Sequence, residues 1–499
     1  MVNYYFTEEH EMFRESLRAF LQKEVIPNID EWEENRRIPR DVWKKMGEQG
    51  FLGLGYPEEY GGLNLDFFFD VIFTEETSKV FSGGFSVTQT VTQYMSASYI
   101  LKHGSDFLKK KYLPGIISGD MISSIGITEP SAGSDAMNIK TNAILEGDHY
   151  VVNGSKTFIT NAVYGDFIVT VVKTDPQAGA GGVSLLVIDR KAEGVSASKL
   201  KKLGWHASDT AELAFDNVKV PKENLIGEEG RGFYYLMGGL QLERLIGAIG
   251  AYAGSESAME YTLQYMSERQ AFGRPINKFQ VLRHRMAQLA TEIESCKQFT
   301  LYCSRLNNDN HYAVKECSMA KLLATELSDK VMTQCLQMFG GYGYMEEYKI
   351  ARMFRDSRIL TIGGGSSEIM REIIAKMMID DVSYKSASSN SEPASNNTNG
   401  KLSVQKILPQ IQQKAAAAKS LGSTLKFDFG EECLFIDGAG EKNQVSTEDK
   451  EAACLVETSI EDFIALTKGE LNPMSAVMSG KLKIKGDMGV AMKLQSLFN

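Results

Sequence analysis

Two rhythms of apolar and polar residues alternate along this chain. Over residues 1–120 apolar side chains return at helical spacing: Phe13, Leu17, Phe20 and Leu21 form one stripe, and Val42, Met46, Phe51 and Leu52 a second. Thr7 followed by Glu8 and Glu9 reads as the start of the first helix. Over residues 121–230 the period shortens. "HYVVNGSKTFIT", "DFIVTVVK", "VSLLVID" and "AELAFDNVKVP" are short β-branched runs separated by Gly, Asn and Asp, the signature of a sheet. The helical period returns over residues 231–380. Helix block, sheet block, helix block is not the strand–helix alternation of a doubly wound fold.

The pattern then stops. "VSYKSASSNSEPASNNTNGK" (Val382–Lys401) is rich in Ser and Asn and has almost nothing to bury, so residues 381–401 are expected to form a flexible linker. Residues 402–499 read as an independent α+β module. It opens with a helix carrying Val404, Ile407, Leu408 and Ile411, followed by strand-like "STLKFDF" and "CLFIDG". After "AACLVET" come a short helix "IEDFIALTKGE", a strand "GKLKIKG" and a last helix "MGVAMKLQSLF".

Bulk properties narrow the function. A chain of 499 residues exceeds what one core serves, which agrees with several domains. The net charge of −10 is spread over interspersed signs, without the basic stripe of a nucleic-acid binder. The six cysteines form no C-x-x-C pair and no histidine clusters with them, so buried free thiols in a reducing compartment are expected and metal ligation is not. No apolar run approaches the roughly 20 residues of a membrane helix. Neither end carries a recognisable address signal, and a cytoplasmic protein is the expectation.

Glycine-rich stretches invite a nucleotide-loop reading, which fails. No G-x-x-x-x-G-K-[ST] occurs, and "GGGSSE" and "GGYGYME" both lack the last glycine of G-x-G-x-x-G. Other stretches carry more. "ITEPSAGSD" (Ile127–Asp135) places hydroxyls and small residues in a loop after the first strand, able to donate to a polar ring edge or a phosphate, although a plain surface turn reads the same way. "KTFITNA" places Phe158 and Thr160 in what reads as a second loop. "ERQAFGRPI" sets Arg269 and Phe272 at a helix end, and "QMFGGYGYM" sets Gln337 before glycines that permit close approach.

In this order the motifs resemble the acyl-CoA dehydrogenase family over residues 3–380. The fold that follows is an N-terminal α-helical domain (1–120), a middle β-barrel-like domain (121–230) and a C-terminal four-helix α domain (231–380). The implied cofactor is FAD. Ile127, Thr128, Gly133 and Ser134 would contact it, Ser134 also meeting the acyl-CoA. Phe158 and Thr160 would flank the flavin ring, where many members carry Trp instead of Phe. Arg269, Phe272 and Gln280 would bind the pyrophosphate and adenine side. Gln337, Gly340 and Gly341 would reach the FAD of a neighbouring subunit, which implies a homotetramer or at least a dimer.

The catalytic glutamate that many members carry in an "EGTSQI" loop is absent. Here that loop reads "GGGSSEIMRE", with Gly364 in the glutamate's place. A second branch of the family holds its base on a helix in a Leu-Glu-Arg context, and this chain has "GGLQLERLIGAIGAYAG" with Glu243 and Arg244. Gly239, Gly247, Gly250 and Gly254 lie near the same helix face as Glu243, which leaves that carboxylate among bare positions, open to a ligand or to a close-packed helix. The resemblance makes Glu243 the base that takes the α-proton. The Gly364 N–H would hold the thioester carbonyl, and Gly365 and Arg244 would contact substrate; an ion pair at the surface is the other reading of Arg244. Ser366 and Glu368 become FAD contacts. The implied reaction converts an acyl-CoA to a trans-2-enoyl-CoA, with an electron-transfer flavoprotein as acceptor.

"LTKGELNPMSAVMSGKLKIKGDMGVAMKLQSLF" (Leu466–Phe498) resembles the end of the sterol carrier protein type 2 family. An acyl-CoA or lipid cavity follows from that likeness, and Met488, Ala491, Met492 and Leu494 would offer an adaptable apolar surface, or else simple core packing. Two other functions stay open at this point: another flavoenzyme (an oxidase or monooxygenase) on the same fold, and a lipid carrier or scaffold whose dehydrogenase half is inactive.

Overall fold

The computed structural model describes residues 4–380 and 382, and, towards the C-terminus, residues 404, 408, 411–412, 414–415, 418, 420–430, 432–440, 442–467 and 482–486. The chain divides into two units, Met1–Ser389 and Asn390–Asn499.

The first unit opens with α1 (Glu8–Phe20), capped as the sequence reads: the Thr7 hydroxyl accepts from the His10 amide, and the His10 ring accepts in turn from the Thr7 amide at 2.9 Å. Next come α2 (Ile29–Glu34), α3 (Arg40–Glu48) and α4 (Phe67–Ser78). The second apolar stripe is split. Val42 and Met46 lie on α3, but Gly50, at φ +71°, turns the chain, so Phe51 and Leu52 are buried from the following loop. A continuous helical run follows. It comprises α5 (Gly83–Gln89), a π-helical stretch over Thr90–Ser96 and α6 (Ala97–His103), with α7 (Asp106–Ile117) closing the block.

The middle block is a seven-stranded sheet. Its strands are β1 (Ser123–Gly126), β2 (Asn142–Glu146), β3 (His149–Thr160), β4 (Phe167–Lys173), β5 (Val183–Asp189), β6 (Val195–Lys199) and β7 (Thr210–Pro221). They run β1-β4-β2-β3-β7-β6, with β5 antiparallel on β4. Phe158 and Thr160 belong to the end of β3 and not to a loop. The pairing of β3 with β7 slips between Lys156 and Ile159, and Phe158 takes φ +61° at the slip. A local bulge re-aims one side chain without ending the strand, which alternation alone does not foretell.

The third block is built on α8 (Gly232–Glu268), 37 residues and so about 55 Å long. After a small hairpin, β8 (Gln270–Ala271) and β9 (Arg274–Pro275), come α9 (Gln280–Asn308), α10 (Val314–Phe339), α11 (Lys349–Ser357) and α12 (Ser367–Ile379). One apolar core runs through α1, α3, α4, α8, α9 and α10. A second joins α6 and α7 to β4 and β5, and Leu236 of α8 reaches into it.

The second unit holds a five-stranded sheet, β12-β11-β10-β13-β14, made of β10 (Thr424–Asp428), β11 (Cys433–Asp437), β12 (Gln444–Ser446), β13 (Cys454–Glu457) and β14 (Lys483–Gly486). A helix, Ile460–Thr467, lays Phe463 against Phe427 of the sheet. β12 is only three residues long and carries no pattern that announces it. Positions 404, 408, 411, 412, 414 and 415 are helical, in line with the first helix expected there. Ile407, the linker apart from Val382, the last helix and Met488, Ala491, Met492 and Leu494 lie outside the described residues. All six cysteines are free, and five are buried; Cys433 is partly exposed, against the expectation that all would be buried.

Candidate active site

Glu243 stands about a third of the way along α8 and is 8% exposed. Tyr99, buried on α6, donates its hydroxyl to Glu243 Oε1 at 2.8 Å. Gly239, one turn earlier on α8, explains how the ring gets there: a Cβ at that position would lie 2.3 Å from Tyr99 Oη. Gly247, one turn later, faces open space, with nothing within 4 Å of a Cβ built on it. Gly250 and Gly254 instead face Ser78 of α4 and Met332 of α10. The bare face expected from the sequence is therefore divided between a tyrosine, an opening and helix packing. Burial pushes the Glu243 carboxyl up to about 7, against the hydrogen bond from Tyr99 and the charges of Arg244 and Lys102, which favour the ionised form.

Arg244 is no surface ion pair. It is 6% exposed and donates to Ser318 Oγ of α10 at 3.3 Å. One turn further along α10, Lys321 is also buried, and its ammonium donates to the Gly365 carbonyl at 2.6 Å. Gly364 and Gly365 both adopt left-handed conformations (φ +64° and +93°), and a Cβ at Gly364 would meet nothing within 4 Å. Ser366 caps α12 by accepting from the Ile369 amide. Glu368, in the first turn of that helix, is exposed; its own amide and the Ser366 hydroxyl hold it below the usual carboxylate range.

A second cluster lies at the sheet. Ile127, Thr128, Gly133 and Ser134 occupy the loop after β1, next to the end of β3, where the Thr157 amide donates to the Thr128 carbonyl at 2.8 Å. Beneath them is a pair the sequence reading did not single out. Lys156 donates to Glu129 Oε1 at 2.8 Å and to the Ile127 carbonyl at 3.2 Å, while Glu129 also accepts from the amides of Lys140 and Thr141. Burial works against the Glu129 carboxylate, but Lys156 and these donors outweigh it and hold its pKa low. A lysine at an inward position of β3 is the signal that could have revealed this pair.

A third cluster gathers Arg269 at the end of α8, Phe272 in the hairpin, Gln280 at the start of α9, and Gln337, Gly340 and Gly341 at the end of α10. The Arg269 guanidinium lies over the Tyr342 ring at 5.3 Å, and Tyr265 stacks on Phe339. Among the described residues of one chain, no hydrogen bond, ion pair or ring contact joins this cluster to the sheet cluster.

Residues 7–120, 124–218 and 230–379 match the acyl-CoA dehydrogenase N-terminal, middle and C-terminal domains. The chain belongs to the acyl-CoA dehydrogenase family. Residues 404–499 match the SCP-2 sterol transfer family, so a lipid-binding module is fused to the dehydrogenase. The mitochondrial long-chain specific acyl-CoA dehydrogenase of Sus scrofa is 40% identical over 381 residues, 75% of this chain and 88% of that protein. An acyl-CoA dehydrogenase structure from Geobacillus kaustophilus is 45% identical, with a TM-score of 0.73 over 76% of this chain and 100% of its own. An acyl-CoA dehydrogenase from Bacillus anthracis, solved in complex with FAD, is 32% identical, with a TM-score of 0.70 over 76% of this chain and 70% of its own.

The protein is accordingly an FAD-dependent acyl-CoA dehydrogenase, and its own residues fit that cofactor. Phe158 and Phe272 are 69% and 94% exposed, each held at positive φ, so two large rings are presented outward on strained backbone. Around them lie hydroxyls and glycines: Gly133, Gly340 and Gly341 have nothing within 4 Å of a built Cβ. Flat apolar faces beside bare backbone donors suit a ring system joined to a pyrophosphate. Among the described residues no helix is long and apolar enough to cross a membrane, and no cluster of His, Cys, Asp and Glu is able to hold a metal.

Proposed function

We propose that Glu243 takes the α-proton of an acyl-CoA thioester in the step that yields a trans-2-enoyl-CoA. The observation that carries this reading is the state of Glu243: a buried carboxyl, raised to about 7, fixed by Tyr99 and one turn from the opening at Gly247. A base whose pKa lies near neutrality combines the right protonation state with driving force for proton transfer. Glu368, the rival carboxylate, is exposed and held low, which suits a contact better than a base.

The Gly364 N–H, at an open left-handed position of the glycine triplet, donates to the thioester oxygen as negative charge grows there. Arg244 lends positive charge beside it and meets the CoA portion, while Ser134 and Gly365 complete the substrate contacts. Ile127, Thr128, Gly133, Ser134, Phe158, Thr160, Ser366 and Glu368 hold FAD from one side of the site. Arg269, Phe272 and Gln280 hold its pyrophosphate and adenine side, and Gln337, Gly340 and Gly341 reach the FAD of a neighbouring subunit in a homotetramer. FAD supplies the acceptor for the β-hydride. The substrate is a long or branched acyl chain, in keeping with a helix-borne base and the likeness to a long-chain specific relative. Electrons pass on to an electron-transfer flavoprotein, and the protein works in the cytoplasm. The sterol-carrier-like module binds acyl-CoA or lipid and keeps it at high local concentration; cutting the linker would then lower kcat/KM for insoluble long chains.

The test is anaerobic bleaching of the purified flavoprotein by straight and branched acyl-CoAs. Bleaching is expected with wild type and slowed by about 10³-fold or more in Glu243→Gln, with FAD retained. A variant as fast as wild type, or a flavin that no thioester bleaches, overturns the reading.

A further inference from the structure

The Gly363–Gly365 triplet has no side chains with which to hold its own shape. Two of its residues are left-handed, a conformation glycine enters and leaves at little cost. Its backbone is secured on one side by the Gly363 amide, which donates to the Ile359 carbonyl at 2.8 Å. On the other side the Lys321 ammonium, 3% exposed, donates to the Gly365 carbonyl at 2.6 Å. The peptides that enter and leave the triplet, 362–363 and 365–366, are thus fixed by the preceding turn and by α10, with Gly364 held between them.

A buried lysine is costly, and this one lies beside a second cation, Arg244. Burial lowers its pKa to about 8, and Arg244 of α8 lowers it further; Glu326 on its own helix and Glu368 at the start of α12 counter in part. A methionine or leucine would fill the same volume without that cost. The ammonium is the part a hydrocarbon cannot replace, and what it grips is the triplet.

We propose that Lys321 is a positioning residue of the dehydrogenation: through the Gly365 carbonyl it locks the triplet in the conformation that aims the Gly364 N–H at the thioester oxygen. This rests on the proposed roles of Glu243 and Gly364. In the step concerned, the α-proton moves to a Glu243 carboxylate oxygen, and the electron pair of the broken C–H bond delocalises onto the thioester oxygen. A donor that wanders loses the advantage of preorganisation, so the acidity of the bound α-carbon reads the tether directly.

The probe is a 3-thia-acyl-CoA, whose β-position is sulfur and has no hydride to give, so that only α-proton loss is possible. Bound to the FAD holoenzyme, its deprotonation is followed by absorbance against pH. In Lys321→Met the titration is expected to move up by at least about one pH unit, a tenfold loss of acidity. In that variant kcat with a true substrate falls by a similar factor, while the affinity for the thia analogue and the FAD content stay within about threefold. Lys321→Gln, with a shorter neutral donor, falls between the two and decides the matter if the methionine variant does not keep FAD. A titration unchanged from wild type in Lys321→Met, or in Lys321→Gln where that is the variant isolated, overturns the proposal. Glu243→Gln is run beside them. If wild type itself gives no deprotonated analogue, the base assignment has failed and takes this inference with it. If Glu243→Gln alone is silent while the lysine variants match wild type, only the role of Lys321 has failed.

Discussion

Around Glu243 polar groups are sealed from water and answer one another: Tyr99 to Glu243, Arg244 to Ser318, Lys321 to the Gly365 carbonyl. Around Phe158 and Phe272 the arrangement is inverted, with large apolar rings held outward on backbone that a side chain rarely adopts. Each such residue costs about 1–3 kcal/mol and persists only where surrounding structure imposes it. The hydrogen bonds around Glu243 are all made within one chain, whereas the proposed cofactor cradle presents its rings at an exposed surface. Changes at the first should therefore register in pH behaviour and rate, and changes at the second in cofactor retention.

The sharpest test of the sealed region sets two glycines of α8 against each other. Helix propensity alone has Gly→Ala stabilise a helix interior by about 0.5–1 kcal/mol. At Gly247, which faces open space, that gain is expected, with a rise in KM because the methyl enters the opening beside Glu243. At Gly239 the methyl collides with Tyr99, so Gly239→Ala is expected to destabilise by about 1–3 kcal/mol and to lower kcat roughly tenfold as the tyrosine is displaced. Denaturant melts and steady-state rates on the two variants decide it. Equal effects at both positions would break the account of Tyr99.

Tyr99→Phe should act more gently and with a definite sign. Glu243 works ionised, so kcat/KM rises with pH through its pKa, about 7. The Tyr99 hydroxyl favours the carboxylate; without it the limb moves to higher pH, by roughly 0.5–1 unit. A limb that stays, or moves down, would show that the tyrosine does not tune the base.

The smallest effect on folding is expected at the cradle. Phe272→Ala should leave stability within about 0.5 kcal/mol, since the ring is exposed in the chain. FAD retention should weaken roughly tenfold, measured by dialysis against free cofactor. A large loss of stability with FAD firmly held would mean that the ring serves the fold and not the cofactor.

The order of the blocks was legible because helical and strand periods are local properties, and so was the placing of Glu243 on a long helix. Tyr99 was not, because its partner lies 144 residues away and periodicity never says which faces meet. Lys321 stayed hidden for the same reason, 44 residues from the carbonyl it grips. Arg244 looked like a residue that could face solvent, yet α8 is covered around this turn, so Glu243 and Arg244 are enclosed while Glu260 and Glu268 further along stay exposed. Phe158 lies inside a run that also reads as a strand, and the bulge that turns its ring outward depends on the pairing of β3 with β7, which the run alone does not disclose.

The π-helical stretch Thr90–Ser96 sits immediately before the turn that carries Tyr99. A π turn accommodates an extra residue by widening, so the helix beyond it keeps the facing it would have without that residue. Closing that turn to the ordinary width without losing a residue would swing the following turn by about 100°, pointing another side chain at Glu243. The facing of Tyr99 thus depends on the width of one turn as well as on the identity of the residues: a change that straightened Thr90–Ser96 into α-helix would disarm the tyrosine while leaving it present in the sequence.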